Sequence, residues 1–213
     1  MLETNRYSVI NIRRYLNSDN PKLGENRLLQ VLSGFSCPRN PDVERFLKKS
    51  SIEFTKKNQS VTYLVFDISS MVLVGYFTLA LKPLTVRGET VSNTVKKKLL
   101  RVSEWDEKSD TYTMSAYLIA QLGKNFTNGA DKKITGEELL VLAWNKIKEI
   151  QYLGGGVVTF LEAENEERLL SFYRDNRFSQ FDTRQTVSDT LLIGIPYITG
   201  FQKGAHLICK QTI

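Results

Sequence analysis

Residues that hold metal ions are scarce here: one histidine and two cysteines in 213 residues. Cys37 and Cys209 lie far apart with no metal-like partners near them, so no metal site is visible. They read as reduced thiols of a cytoplasmic protein. His206 sits in the tail, where it reads as a strand residue rather than a catalytic one. Long apolar runs are also missing. The longest, Met71 to Leu81, is broken by Thr78 and falls short of the roughly 20 residues a membrane-spanning helix needs. The opening MLETNRYSVINIRR lacks an apolar core followed by a small-residue cleavage site, so it reads as no secretion signal. No repeat and no low-complexity segment is present.

The rest is ordinary globular material, 41% hydrophobic and 24% charged, able to bury a core. The length is long for one compact domain and short for two; it is read as a single domain over 1–213, with 1–25 an N-terminal extension and 188–213 C-terminal strands. Lys and Arg number 29 against 23 Asp and Glu, a net charge of +6 that favours anionic partners without naming one. RNA would be attracted by such a field. The densest run, Lys96-Lys97-Lys98 with Arg101, reads as a solvated helix face before a phosphate-binding patch.

Along the chain, residues to Leu23 are ambiguous between helix and strand. Arg27 to Phe35 reads as a first strand. Asn40, Pro41 and Asp42 mark a helix start, with Val43, Phe46, Leu47 and Phe54 as its inward stripe. SVTYLVFD and MVLVGYFTLAL predict a hairpin. A short basic helix over Ser92 to Val102, an exposed EWDEKSD loop and a strand from Thr111 to about Leu122 come next. Asn125 to Lys133 is a polar loop ending at a capping box, Thr135 with Glu138. The helix beyond it buries Leu139, Leu140, Leu142, Ala143, Ile147 and Ile150. The tail holds strand pieces near Leu191–Ile195 and His206–Thr212. This order predicts a mixed α/β fold with one central sheet.

The most informative stretch is Gly154 to Phe178, GGGVVTFLEAENEERLLSFYRDNRF. A glycine turn feeds a strand (Val157 to Glu162), then a loop with Asn165 as helix N-cap, then a helix with Leu169, Phe172 and Tyr173 on one face. The residues Glu162, Asn165, Leu169, Phe172, Tyr173 and Phe178 resemble the fifth strand and following helix of the GNAT superfamily of acetyl-CoA-dependent N-acetyltransferases, with Arg177 where the family has glycine. The resemblance runs from about Phe35 to Asp182. It implies an α/β fold with a single mixed, mostly antiparallel central sheet flanked by helices.

It also implies a site. A loop running into a helix N-terminus offers unpaired amides to a diphosphate, and Lys132, Lys133, Ile134, Thr135, Gly136 and Glu137 are the candidates. The family's pyrophosphate motif, ended at Gly136, places Asp131 and Ile134 at its other key positions, so one of three matches. The amides of Leu122, Gly123 and Lys124 at AQLGKN would receive the thioester carbonyl. Tyr173 would donate a proton to the departing thiolate, whose thiol has a pKa near 8.5. Glu162, Glu164 and Glu104 are candidate bases, and that role stays unassigned. Asn165 completes the implied cofactor set.

A narrower resemblance covers Phe35, Cys37, Asn40, Phe46, Leu47, Gly75 and Tyr76, which are similar to the GNAT toxins of toxin–antitoxin pairs. That branch acetylates the amino group of aminoacyl-tRNA. The leading expectation is transfer of acetyl from acetyl-CoA to a primary amine of unknown acceptor. The alternatives are a toxin acting on charged tRNA with an antitoxin partner, and a catalytically inactive GNAT-fold module. Charge alone also admits a nucleic-acid-binding α/β protein. A homodimer is left open.

Overall fold

The computed structural model describes residues 6–18, 20, 23–185 and 190–196, with 181–185 and 190–196 described by backbone alone. The expected strand at His206–Thr212, with Cys209, lies outside the described residues. The sheet is built on the expected hairpin: β-branched and aromatic residues pair β2 (Val61–Asp67) with β3 (Val72–Arg87). The ambiguous N-terminal stretch resolves into both alternatives. Strand β1 (Tyr7–Asn11) pairs with Tyr63 through Asp67 of β2, and a one-turn helix α1 (Arg13–Leu16) comes after it.

The expected strand at Arg27 to Phe35 is instead helix α2 (Glu25–Ser33). RLLQVL carries apolar residues at both alternations, so period 2 and period 3.6 compete. The buried pair Leu28 and Leu32, four apart, decides for helix, and Leu29 is left exposed. The next helix starts as expected. In α3 (Pro41–Arg45) the Asn40 side chain accepts from the amides of Asp42 and Val43, with Pro41 in the first turn. It continues through a π-helical turn (Phe46–Ser50) into α4 (Ser51–Lys56). Widening that turn rotates the remainder of the helix about its axis. Ser51 and Thr55 therefore turn inward, and Phe54, expected on the buried stripe, is 39% exposed.

Beyond the hairpin come α5 (Asn93–Leu99), β4 (Glu104–Asp106) and β5 (Thr111–Lys124). The expected EWDEKSD loop thus contains a short exposed strand, which pairs with the start of β5. Helix α6 (Gly136–Gly154) has both capping-box bonds and buries Leu139, Leu140, Ala143 and Ile147. Strand β6 (Thr159–Glu164) begins two residues later than expected, after Gly155 and Gly156 at positive φ. Helix α7 (Glu167–Asp175) leads to β7 (Phe178–Gln185), a strand that the sequence pattern does not mark, and β8 (Thr190–Pro196).

The strand order is β1-β2-β3-β5-β6-β8-β7, with β4 on β5. Neighbours are antiparallel except β5 and β6. Helices cover both faces. Ile12, Leu28, Leu32 and Leu47 pack with Leu64 and Tyr76 on one side. Leu139, Leu140, Ala143 and Ile147 pack with Phe77, Ile119 and Leu161 on the other. The expected mixed, mostly antiparallel central sheet flanked by helices is thus present.

Asn125, 3% exposed, latches the end of β5 to its surroundings. Its amide nitrogen donates to the Leu73 carbonyl (2.8 Å), and its oxygen accepts from the amides of Ser36 (2.9 Å) and Thr127 (3.1 Å). Asn125→Ala strands these buried groups and is expected to cost about 2–4 kcal/mol. Urea unfolding followed by circular dichroism measures it.

Candidate functional site

Strands β5 and β6 run parallel but pair only through Tyr117–Ile119 with Thr159–Leu161. Both continue, β5 to Lys124 and β6 to Glu164, so they part beyond Ile119 and Leu161. Past that point β5 pairs with β3 and β6 with β8. The register of β5 against β3 shifts where Ile119 faces Leu79 and Gln121 faces Thr78. Ala120 is the extra residue, and such a bulge bends and twists its strand.

The three amides expected to receive a carbonyl lie on this diverging stretch, but they do not all face it. The Asn125 amide bonds the Val74 carbonyl on β3. Amides in an antiparallel pair alternate in direction. Gly123 therefore points its N–H to β3, while those of Leu122 and Lys124 point to the open edge. Gly123 has a different reason to lack a side chain: an added Cβ would lie 2.4 Å from Cγ1 of Val43 in the α3 segment.

The loop before α6 runs from Asn125 through a 3₁₀ segment (Thr127–Lys133) to a buried Ile134. Thr135 Oγ1 accepts from the Glu138 amide (3.0 Å), and Glu138 Oε2 accepts from the Thr135 amide (2.7 Å). An anionic oxygen thus already sits on a donor of the expected cradle. The Glu138 carboxylate therefore occupies that amide as part of the helix cap. Gly136 is explained in part by packing: a Cβ would lie 3.2 Å from the Phe172 ring of α7. Glu137 is an exposed first-turn residue of α6.

Of the two expected lysines, Lys132 is exposed and Lys133 is committed. The Lys133 ammonium lies 3.5 Å from Asp67, whose side chain is 3% exposed. Ser70 and Ser69 donate to Asp67 and, with Lys133, hold its carboxyl at about 2. The first side chain of β1 and that of the residue before it converge on the same loop. The Tyr7 hydroxyl (2.8 Å) and an Arg6 guanidinium nitrogen (2.9 Å) both donate to the Lys133 carbonyl, and Arg6 Nη1 is 3.8 Å from Glu138. No motif points to Arg6 or Tyr7, since Arg6 lies 127 residues from Lys133 in the chain. Burial, with the Glu138 charge next, pushes the Tyr7 phenol up to about 12.

Tyr173 packs with Leu122, Phe172 and Leu169 on the core that includes Ile134 and Leu139. Its ring meets Phe172 and Phe178 edge-on, with centroids 5.2 and 5.6 Å away. Burial alone pushes its phenol up to about 12, so it stays protonated at neutral pH. Asn165 does not cap α7: the chain stays extended one residue further, and Glu166 takes that position with no side-chain cap bond. Glu162 and Glu164 lie exposed on β6, and Glu104 lies on β4, which pairs with the start of β5. The basic run of α5 is partly neutralised, since Lys96 pairs with Asp110 at 2.7 Å.

No family model and no curated protein matches the chain. Among solved structures it is similar to a tyrosine-to-phenylalanine mutant of KacT, 17% identical, covering 88% of this chain and 94% of that one, with a TM-score of 0.58. AtaT complexed with acetyl-methionyl-tRNAfMet is 15% identical, with 87% and 93% covered and a TM-score of 0.56. AtaTR bound with AcCoA is 14% identical, with 89% and 93% covered and a TM-score of 0.53. At these identities the likeness establishes the fold.

The Asp67 carboxyl titrates below its usual range near 3.9. The stabilisation from its ionised form is therefore complete above about 4 and withdrawn as pH falls toward 2. Asp67→Asn should flatten the loss of stability across that window, measured by urea midpoints at about pH 7, 4 and 2.5.

Proposed function

We propose that the chain is an acetyl-CoA-dependent N-acetyltransferase in which a primary amine attacks the thioester directly. The observation that carries this is the parting of β5 and β6, which leaves the Leu122 and Lys124 amides on an open edge beside the start of α6. Fixed amides of this kind stabilise the oxyanion that forms when an amine adds to a carbonyl. The start of α6, with the amides of Gly136 and Glu137 and with the exposed Lys132 nearby, supplies donors for a diphosphate. Acetyl-CoA, when bound, supplies the activated acyl group.

Tyr173 offers its hydroxyl to the leaving sulfur as a hydrogen-bond donor. A phenol at about 12 is a weaker acid than a thiol near 8.5, so its contribution is a hydrogen bond that strengthens as negative charge builds on sulfur. The aromatic cage of Phe172 and Phe178 fixes its ring. The chain acts in this reading as one cytoplasmic domain over 1–213 and uses no metal.

A second reading narrows the acceptor to charged tRNA, with an antitoxin as partner. It is supported by the names of the similar structures, which include AtaT with acetyl-methionyl-tRNAfMet and the KacTA–DNA complex. The net charge of +6 suits a nucleic acid, whose phosphates dominate affinity. Acetyl transfer to aminoacyl-tRNA, but not to polyamines or peptides, would single out this acceptor.

Calorimetry tests the main reading: acetyl-CoA should bind, and absence of heat and of thermal shift would retire it. Tyr173→Phe should lower kcat by about a hundredfold while the dissociation constant for acetyl-CoA moves by less than about twofold. Unchanged turnover would remove the proton-donor role.

A further inference from the structure

The loop leading into α6 is poor in usable positive charge. The residue aligned with the basic lead of the family motif is Asp131, and the Lys133 ammonium is held by the nearly buried Asp67. Lys132 is exposed, and its side chain projects into solvent rather than being fixed against the helix start. A diphosphate at this helix would also meet Glu138, whose carboxylate faces the first turn. Amides and dipole alone therefore confront two acidic groups.

Strand β1 and the residue before it supply the missing charge. Arg6 Nη2 donates to the Lys133 carbonyl at 2.9 Å, which fixes the plane of the guanidinium against the loop. The Tyr7 ring lies under it, 5.3 Å from centroid to Cζ, and the Tyr7 hydroxyl bonds the same carbonyl. The other end of the fork, Nη1, stands 3.8 Å from Glu138 Oε1, beyond hydrogen-bond reach. Glu138 Oε2 meanwhile occupies the Thr135 amide. One carboxylate thus lies between an arginine with donors to spare and a helix-start amide, as one oxygen-bearing arm of a diphosphate would. The arginine side chain is half exposed, so the position is open to a ligand.

We propose that Arg6 is a cofactor-binding residue: it supplies from the start of β1 the cation that the α6 loop lacks, and Glu138 holds the anion position until a diphosphate replaces it. The inference rests on the acyl-CoA reading above. The expected strength is that of one charge-assisted contact, since Arg6 can donate two parallel hydrogen bonds to phosphate oxygens once Glu138 withdraws.

The test compares two acyl donors by calorimetry: acetyl-CoA, which carries the diphosphate, and acetyl-pantetheine, which does not. Arg6→Gln is expected to weaken acetyl-CoA binding about tenfold, so that the preference for acetyl-CoA over acetyl-pantetheine falls by the same factor. Arg6→Lys should recover most of that preference, because the charge returns. Glu138→Gln should tighten acetyl-CoA selectively, because a neutral side chain yields the Thr135 amide more readily and does not repel the diphosphate. A purely structural role would weaken both donors together and lower the melting temperature, and that result overturns the proposal. An unchanged preference in Arg6→Gln overturns it as well, while the acyl-CoA reading stands. No binding of either donor by the unsubstituted chain would overturn both.

Discussion

The three-residue parallel junction of β5 and β6 is the constraint on which the site depends. It is held at its base by the Tyr117 amide, which bonds the Val158 carbonyl, and by the Tyr117 hydroxyl, which reaches the Gly155 carbonyl at 2.6 Å. Above Ile119 the bulge at Ala120 bends β5, which keeps its pairing with β3, while β6 keeps its pairing with β8 on its other edge. A sheet tolerates unpaired amides only where water or a ligand reaches them. The gap is therefore a requirement of the topology before it is a feature of any chemistry.

The helices convert this gap into a site by sharing contacts. Gly136 leaves room for the Phe172 ring, so the first turn of α6 and the middle of α7 are packed against each other. Tyr173 is the next residue of α7 and joins the same core as Leu122. Any shift of the α6 start thus moves the ring that neighbours the phenol. The Lys133 carbonyl works in the same direction from the opposite side. By accepting from Arg6 and Tyr7 it ties the loop to the outermost strand β1, and Asp67 at the end of β2 anchors the ammonium of the same residue. Strands β1 and β2 together with helix α7 therefore set the position of one short loop.

Much of this is legible where the signal is local. The Asn40 cap, the Thr135–Glu138 capping box and the β-branched and aromatic runs of the hairpin each depend on residues within a few positions of one another, and each forms. Helix α2 is hidden because RLLQVL fits both periods until the partner surface under Leu28 and Leu32 is known. The π turn at Phe46–Ser50 has no sequence signature, so a regular helical stripe puts Phe54 on the wrong face. Asn165 is one residue early as a cap, because nothing in ENEE distinguishes the last extended residue. The direction of the Gly123 amide depends on the bulge at Ala120 and the bond of Asn125 to Val74, neither of which composition reveals. The position of Arg6 is hidden for the plainest reason, a separation of 127 residues from the loop it meets.

Arg177 shows how a departure from a family pattern can leave the underlying geometry intact. The resemblance has glycine there, and the backbone of Arg177 does adopt φ 68, the left-handed region that glycine enters freely. A side chain in that region costs about 1 kcal/mol. The conformation is nevertheless kept, because it turns the chain out of α7 and delivers Phe178 into the core. Phe178 is 6% exposed and meets both Trp144 of α6 and Tyr173 edge-on. The turn therefore serves the aromatic cage around the phenol, and burial of that cage outweighs the strain of the residue that makes it. Since a fully buried aromatic contributes about 2–3 kcal/mol, the balance favours the strained turn even without glycine.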